Sequence, residues 1–140
     1  MVVVAGCLIA QNNKILIPEK LVDKIKINIC GANNVVIIDD SVKITDRGGV
    51  FITIKGNDNC IKIDKDCTIN HKFILNFFPA GIGAISDNCS IKLGSDTFIN
   101  GITTLFCGEK NTHIIIGKNC LLANNIRMTT SDSHSIIDMN

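Results

Sequence analysis

The last fourteen residues, RMTTSDSHSIIDMN (127–140), hold the side chains best suited to chemistry. His134 stands between Ser133 and Ser135, two residues after Asp132 and four before Asp138. An imidazole near its ordinary pKa takes up and returns a proton at neutral pH, which makes His134 the one catalytic-looking residue of the chain. His71 and His113 read as surface or turn residues. The seven cysteines are odd in number, scattered and without a CxxC, which argues against a disulfide framework and against a zinc knuckle. A reducing, cytoplasmic setting fits that usage. Gly94 and Gly117 belong to no GxGxxG and precede no P-loop lysine, so they read as turn glycines and not as a phosphate cradle.

The elements that must position His134 come from an internal repeat. The stretch INICGANNVVIIDDSVKI (27–44) returns 25 residues later as ITIKGNDNCIKIDKDCTI (52–69), and its second half returns as IKLGSDTFIN (91–100) and IIIGKNCLLA (114–123). Its unit is a pair of apolar residues two apart: Val36/Ile38, Val42/Ile44, Ile61/Ile63, Cys67/Ile69, Phe73/Leu75, Ile91/Leu93, Thr97/Ile99 and their equivalents through Ile126/Met128. Residues two apart on a strand share a face, so each pair makes a short strand with two inward side chains. Strands this short are stable only when each stacks on its equivalent one coil earlier, and the expected architecture is an all-β solenoid in one domain. A helix fails on period. A β-sandwich would need strands of about five or six residues.

Composition agrees with this reading. The 46% hydrophobic fraction is carried by 26 isoleucines and by valine, with neither Trp nor Tyr, and β-branched side chains suit a pleated strand. The 16 asparagines are expected in turns, where their tolerance of left-handed backbone is useful. A net charge of +1 with no basic block argues against nucleic acid as a partner. The apolar start, MVVVAGCLIA, has no basic segment ahead of Cys7 and is about half of the roughly 20 residues a membrane span requires, so it reads as a strand, with neither signal nor membrane span expected.

Four hexapeptides inside the repeat, IDDSVK (38–43), IDKDCT (63–68), LGSDTF (93–98) and IGKNCL (116–121), resemble the motif of the hexapeptide-repeat acyltransferases. That resemblance implies a left-handed parallel β-helix of triangular section, roughly 18 residues per coil, and a homotrimer. The closing SDSHSIID resembles the segment around the catalytic histidine in members that O-acetylate sugars of surface polysaccharides. It implies acetyl-CoA as acyl donor, a sugar or glycan acceptor, and His134 as general base toward the acceptor hydroxyl. TFING (97–101) resembles a Phe-x-Asn segment of the same family and implies that Asn100 helps hold the acceptor. A structural role for Asn100 stays open, because Asn70 occupies the equivalent repeat position. Asp132 or Asp138 would orient the imidazole or bind acceptor hydroxyls, with Ser133 beside them. The zinc enzymes built on the same solenoid use three converging histidines, two of them closely spaced, a set that His71, His113 and His134 do not offer, so no metal is expected.

In steps of six from Ile126/Met128, the next inward pair is Asp132/His134, two polar residues where the repeat calls for apolar ones. A functional position is expected where the packing rule breaks. The expected organisation is an irregular first coil over 1–26, regular coils over 27–128 and a site loop over 129–140. Relatives continue past this histidine with further coils, so the chain is expected to be a fragment or a short member that borrows surface from neighbouring subunits. The competing reading is a catalytically silent solenoid, a remnant or assembly element. An ice-binding solenoid ranks behind both for want of a repeated Thr-x-Thr face.

Overall fold

The computed structural model describes residues 11–81 and 83–132. The strand expected at the start of the chain and the stretch from Ser133 onward lie outside the described residues. Within them the strands in chain order are β1 (Lys14–Leu16), β2 (Ile25–Cys30), β3 (Val35–Ile38), β4 (Lys43–Ile44), β5 (Gly49–Lys55), β6 (Cys60–Ile63), β7 (Thr68–Ile69), β8 (Lys72–Phe77), β9 (Ser90–Leu93), β10 (Phe98–Ile99), β11 (Thr103–Cys107), β12 (His113–Ile116), β13 (Leu121–Leu122) and β14 (Ile126–Thr129). They form three sheets in which every pairing is parallel. Sheet I runs β1-β3-β6-β9-β12, sheet II runs β4-β7-β10-β13 and sheet III runs β2-β5-β8-β11-β14. The chain visits the three in turn and stacks each strand on its equivalent one coil earlier. The expected single-domain β-solenoid is the architecture found.

Pairing register reproduces the sequence repeat. Ile27 lies beside Ile52, Val36 beside Ile61 and Ile44 beside Ile69. The inward columns are continuous aliphatic stacks, such as Val36–Ile61–Ile91–Ile114 and Ile38–Ile63–Leu93–Ile116, all buried. Each such side chain taken from water stabilises the fold by about 1.5–3 kcal/mol, and the stacking leaves no strand to support itself. Cys67, Cys89 and Cys107 are buried among these aliphatics and act as small hydrophobes.

Coil length departs from the expected eighteen residues. Equivalent positions are 21 residues apart from Asn12 to Asn33, 25 from Thr45 to Asn70, 30 from Asn70 to Asn100 and 23 from Asn88 to Asn111. The extra length has two causes. Sheet III strands run to seven residues in β5 and carry three inward residues each, as in Val50/Ile52/Ile54 and Phe73/Leu75/Phe77, where a count by pairs expects two. The longest coil also carries the segment between Phe77 and Cys89.

Among the described residues the first coil has no strand in sheet II. A 3-10 helix, Glu19–Lys24, takes its place, preceded by Pro18 and dropping Leu21 into the core. Lys24 Nζ reaches the carbonyls of Ile44 (3.3 Å) and Thr45 (3.0 Å) in the coil above. Among the described residues the first paired strand residue is Lys14, beside Val35.

At the corner ahead of sheet I the asparagines fall into two columns, and only one is turn chemistry. Asn12, Asn33, Asp58, Asn88 and Asn111 form an outer column just ahead of sheet I, each with φ between 53° and 59°. The residue after each begins a second column whose first three members, Asn13, Asn34 and Asn59, are buried. Asn34 Oδ1 accepts the Asn59 N–H (3.0 Å), and Asn13 Oδ1 accepts the Asn34 N–H (2.9 Å). Their amide groups donate to the carbonyls of Gly31, Gly56 and Ser86. This internal ladder is a buried role beside the turn role expected of the asparagines. It closes a corner where the backbone turns from sheet III to sheet I and its polar groups have no strand partner.

Candidate active site

The four hexapeptides form the corners between sheets I and II. In each, the first residue and the fifth point inward: Ile38 and Val42, Ile63 and Cys67, Leu93 and Thr97 are buried, and Ile116 and Cys120 line the last coil. In the later three the fourth residue, Asp66, Asp96 or Asn119, has φ between 55° and 60°, the left-handed turn that Asp and Asn tolerate. In the first, Asp39 makes the turn instead. Its Oδ1 accepts the Ser41 hydroxyl (2.6 Å) and N–H (2.9 Å), and these two bonds hold its carboxyl below the usual carboxylate range.

Of the residues expected to do chemistry, His134, Ser133 and Asp138 lie outside the described residues. Asp132 lies at their margin and is exposed. Stepping by six had placed it inward, and the register corrects this. β14 lies on β11 with Met128 beside Leu105 and Thr129 beside Phe106, so Thr130 follows over Cys107 as the third inward position of a sheet III strand. Ser131 and Asp132 come where the chain leaves the sheet at Gly108 and Glu109 one coil earlier.

That exit is tied down by hydroxyls. Thr129 Oγ1 donates to the Ser131 carbonyl (2.8 Å), and Ser131 Oγ donates to Glu109 Oε1 (2.8 Å). Thr130 Oγ1 accepts the Gly108 N–H (3.2 Å) and lies 2.8 Å from Thr112 Oγ1. Thr112 in turn sits 2.6 Å from the Glu109 carbonyl. Sequence reasoning missed the Glu109–Ser131 contact, because the two are 22 residues apart and belong to no motif.

Asn100 is exposed at the corner between sheets II and III. Its Oδ1 accepts from Asn70 Nδ2 at 3.3 Å, and Asn70 Oδ1 accepts the Thr45 hydroxyl at 2.8 Å, so the two asparagines are equivalent steps of one outer ladder. The fold does not bring Asn100 and Asp132 together. Asn100 precedes β11, Asp132 follows β14 at the far end of the same sheet, and a strand rise of about 3.3 Å per residue puts roughly 20 Å between them.

The two described histidines are on different faces. His113 Nδ1 lies 2.7 Å from Ser90 Oγ on the outside of sheet I, and His71 Nδ1 accepts the Lys72 N–H (2.9 Å) at a corner of sheet III. Among the described residues no group of three or more His, Cys, Asp or Glu side chains is placed to hold a metal. Burial pushes the Cys107 thiol up to about 11 and raises that of Cys67, so neither supplies a thiolate nucleophile at neutral pH.

The described surface depressions are shallow. One of about 530 Å³ is lined by Pro18, Glu19, Lys20 and Asp40, and another of about 330 Å³ runs along Ile37, Asp39, Lys62, Asp64, Lys65 and Lys118. Apolar groups surface in the last two coils, where Phe98 and Leu121 stand side by side on the outside of sheet II. Among the described residues no helix is long and apolar enough to cross a membrane.

No protein-family model, no curated protein and no solved structure matches this chain.

Proposed function

We propose that the chain is an acetyl-CoA-dependent O-acetyltransferase acting on a sugar hydroxyl of a surface glycan, with His134 as general base. One observation carries the reading: the hexapeptides that resemble those of the acyltransferases are the repeating corners of this solenoid, with the first and fifth residues inward. In the sequence the SDSH segment begins two residues after the end of the last described strand, β14. In the proposed step the acceptor O–H gives its proton to the His134 imidazole as its oxygen forms a bond to the acetyl carbonyl carbon. The C–S bond breaks, and the imidazolium returns the proton to the departing thiolate. Asp132 or Asp138 would orient the ring, and Ser133 would contact the acceptor. The proposal includes a homotrimer, for which the exposed Phe98 and Leu121 offer apolar surface.

Thiol release from acetyl-CoA in the presence of sugar acceptors, with sedimentation to fix the oligomeric state, tests the reading. Acceptor-dependent release that His134→Ala abolishes in a folded protein is the expected result. Release at an unchanged rate in His134→Ala removes the proposed base. No release from a folded chain favours the second reading, a catalytically silent solenoid. That second reading draws on the roughly 20 Å between Asn100 and Asp132, which stand at opposite ends of sheet III.

A further inference from the structure

We propose that the outer face of sheet III binds an anionic glycan, a chain containing uronic acids, laid along the solenoid axis with one sugar unit per coil. Its centre is a depression of about 160 Å³ lined in part by Lys26, Asn28, Phe51 and Thr53. Phe51 points outward from β5, and Gly49 on the same face leaves room for its ring, since a Cβ on Gly49 would lie 3.1 Å from Phe51 Cε2. The ammonium groups of Lys26, one coil earlier, and Lys72, one coil later, stand 5.9 and 6.0 Å from the ring centroid. A half-buried aromatic surface that can take the C–H face of a sugar is thus flanked by two cations that can take its carboxylate.

Charge and hydrogen bonding select the occupant. Lys26, Lys55, Lys72 and Arg127 are exposed on strands of sheet III, and none of those strands carries Asp or Glu. Among the described residues the ion pairs are Lys24–Asp46 and Lys62–Asp64, so these four cations are not spent on carboxylates of the chain. Beside the ring runs a column of neutral donors and acceptors, Asn28–Thr53–Asn76, on successive strands. Stacked asparagines elsewhere bond one another, as in Asn12–Asn33, Asn70–Asn100 and Asn88–Asn111. Among the described residues the side chains of Asn28, Thr53 and Asn76 make no such bond, which leaves their amides and hydroxyl to a ligand.

Strand spacing sets the period. Neighbours in this column are about 4.8 Å apart, close to the length of one unit in an extended glycan, whereas an extended peptide advances about 3.3 Å per residue. Nucleic acid would ask for further rings on which successive bases stack, and the other outward ring of sheet III, Phe106, is buried against Phe78. The inference concerns binding alone and does not rest on acyl transfer.

Calorimetric titration of the full chain with an oligomannuronate at physiological salt tests it. Saturable binding is expected, weakened about tenfold by Phe51→Ala and by Lys26→Gln combined with Lys72→Gln. Phe51→Tyr, which keeps a ring, and Lys92→Gln, an exposed lysine of sheet I, are expected to bind like the unaltered chain. An uncharged cello-oligosaccharide of the same length is expected to bind at least about tenfold more weakly. Should Phe51→Ala unfold the chain, Phe51→Leu, which keeps apolar volume without the ring, takes its place. No binding overturns the proposal, and so does binding that survives loss of the ring or that Lys92→Gln weakens as much as the paired lysine changes do. Equal affinity for the cello-oligosaccharide removes the anionic requirement and overturns it as well. Polyphosphate or a single-stranded oligonucleotide binding as tightly as the uronate also overturns it, because charge alone would then be read.

Discussion

Asn59 lies directly beneath Cys89, thirty residues later in the chain, and its side-chain oxygen accepts the Cys89 backbone N–H at 2.9 Å. The same side chain donates to the Ser86 carbonyl at 2.9 Å, so one buried amide closes the corner of two successive coils. Asn59→Ala strands a donor and an acceptor inside the protein, at about 1–3 kcal/mol for each unsatisfied group. The expected loss is about 3 kcal/mol, read as a lower urea midpoint at unchanged slope. A loss below about 0.5 kcal/mol, the range of an ordinary surface substitution, would mean that the ladder is dispensable.

Gly31 tests the same corner from the backbone side. It has φ +141°, and a Cβ there would meet the Gly56 carbonyl oxygen of the coil above. Gly31→Ala is expected to destabilise by more than about 2 kcal/mol, since rigid backbone on both sides must move. Gly83→Ala is the useful contrast. Its φ of +78° disfavours alanine, but nothing lies within 4 Å of the added carbon, so the expected loss is about 1 kcal/mol.

Thiol chemistry separates the cysteines by position. Cys30 is exposed and is expected to react with an aromatic disulfide reagent within minutes at pH 8, whereas Cys67, Cys89 and Cys107 react only on unfolding. The Cys107 thiol, pushed up to about 11 when folded, ionises near 9 once unfolded. The unfolded chain therefore loses this proton first, and stability falls as pH rises from about 9 to 11. Denaturation midpoints across that window are expected to drop less steeply in Cys107→Ala, the difference being roughly 2 kcal/mol or less.

Asn100 distinguishes a structural residue from a binding one. Its bond to Asn70 is long, 3.3 Å, and exposed, so Asn100→Ala is expected to change stability by no more than about 0.5 kcal/mol. If it holds the acceptor, KM for the acceptor rises while the denaturation midpoint stays put. An unchanged KM in an active preparation would assign Asn100 to the ladder alone.

Much of this fold can be read from the residues, because the aliphatic pairs are the core and their 25-residue recurrence is the pairing register from Ile27/Ile52 to Ile44/Ile69. What escaped the reading depends on contacts made across coils. Nothing local marks Asn34 and Asn59 as interior and their neighbours Asn33 and Asp58 as surface; only the stacking decides which amide faces in. Counting in sixes also hid the third inward residue of each sheet III strand, and that error moved Asp132 inward. The distance from Asn100 to Asp132 follows from strand direction, which a motif search does not carry.

Unequal coils joined only to their neighbours have a kinetic consequence. Every pairing closes a stretch of about 20 to 30 residues, whichever part of the stack it belongs to, so the entropy of closure is nearly the same for the first coil as for the last. Folding could therefore be seeded at any adjacent pair and spread outward one rung at a time, with the central aliphatic rungs around Ile61 and Ile91 as the natural seed.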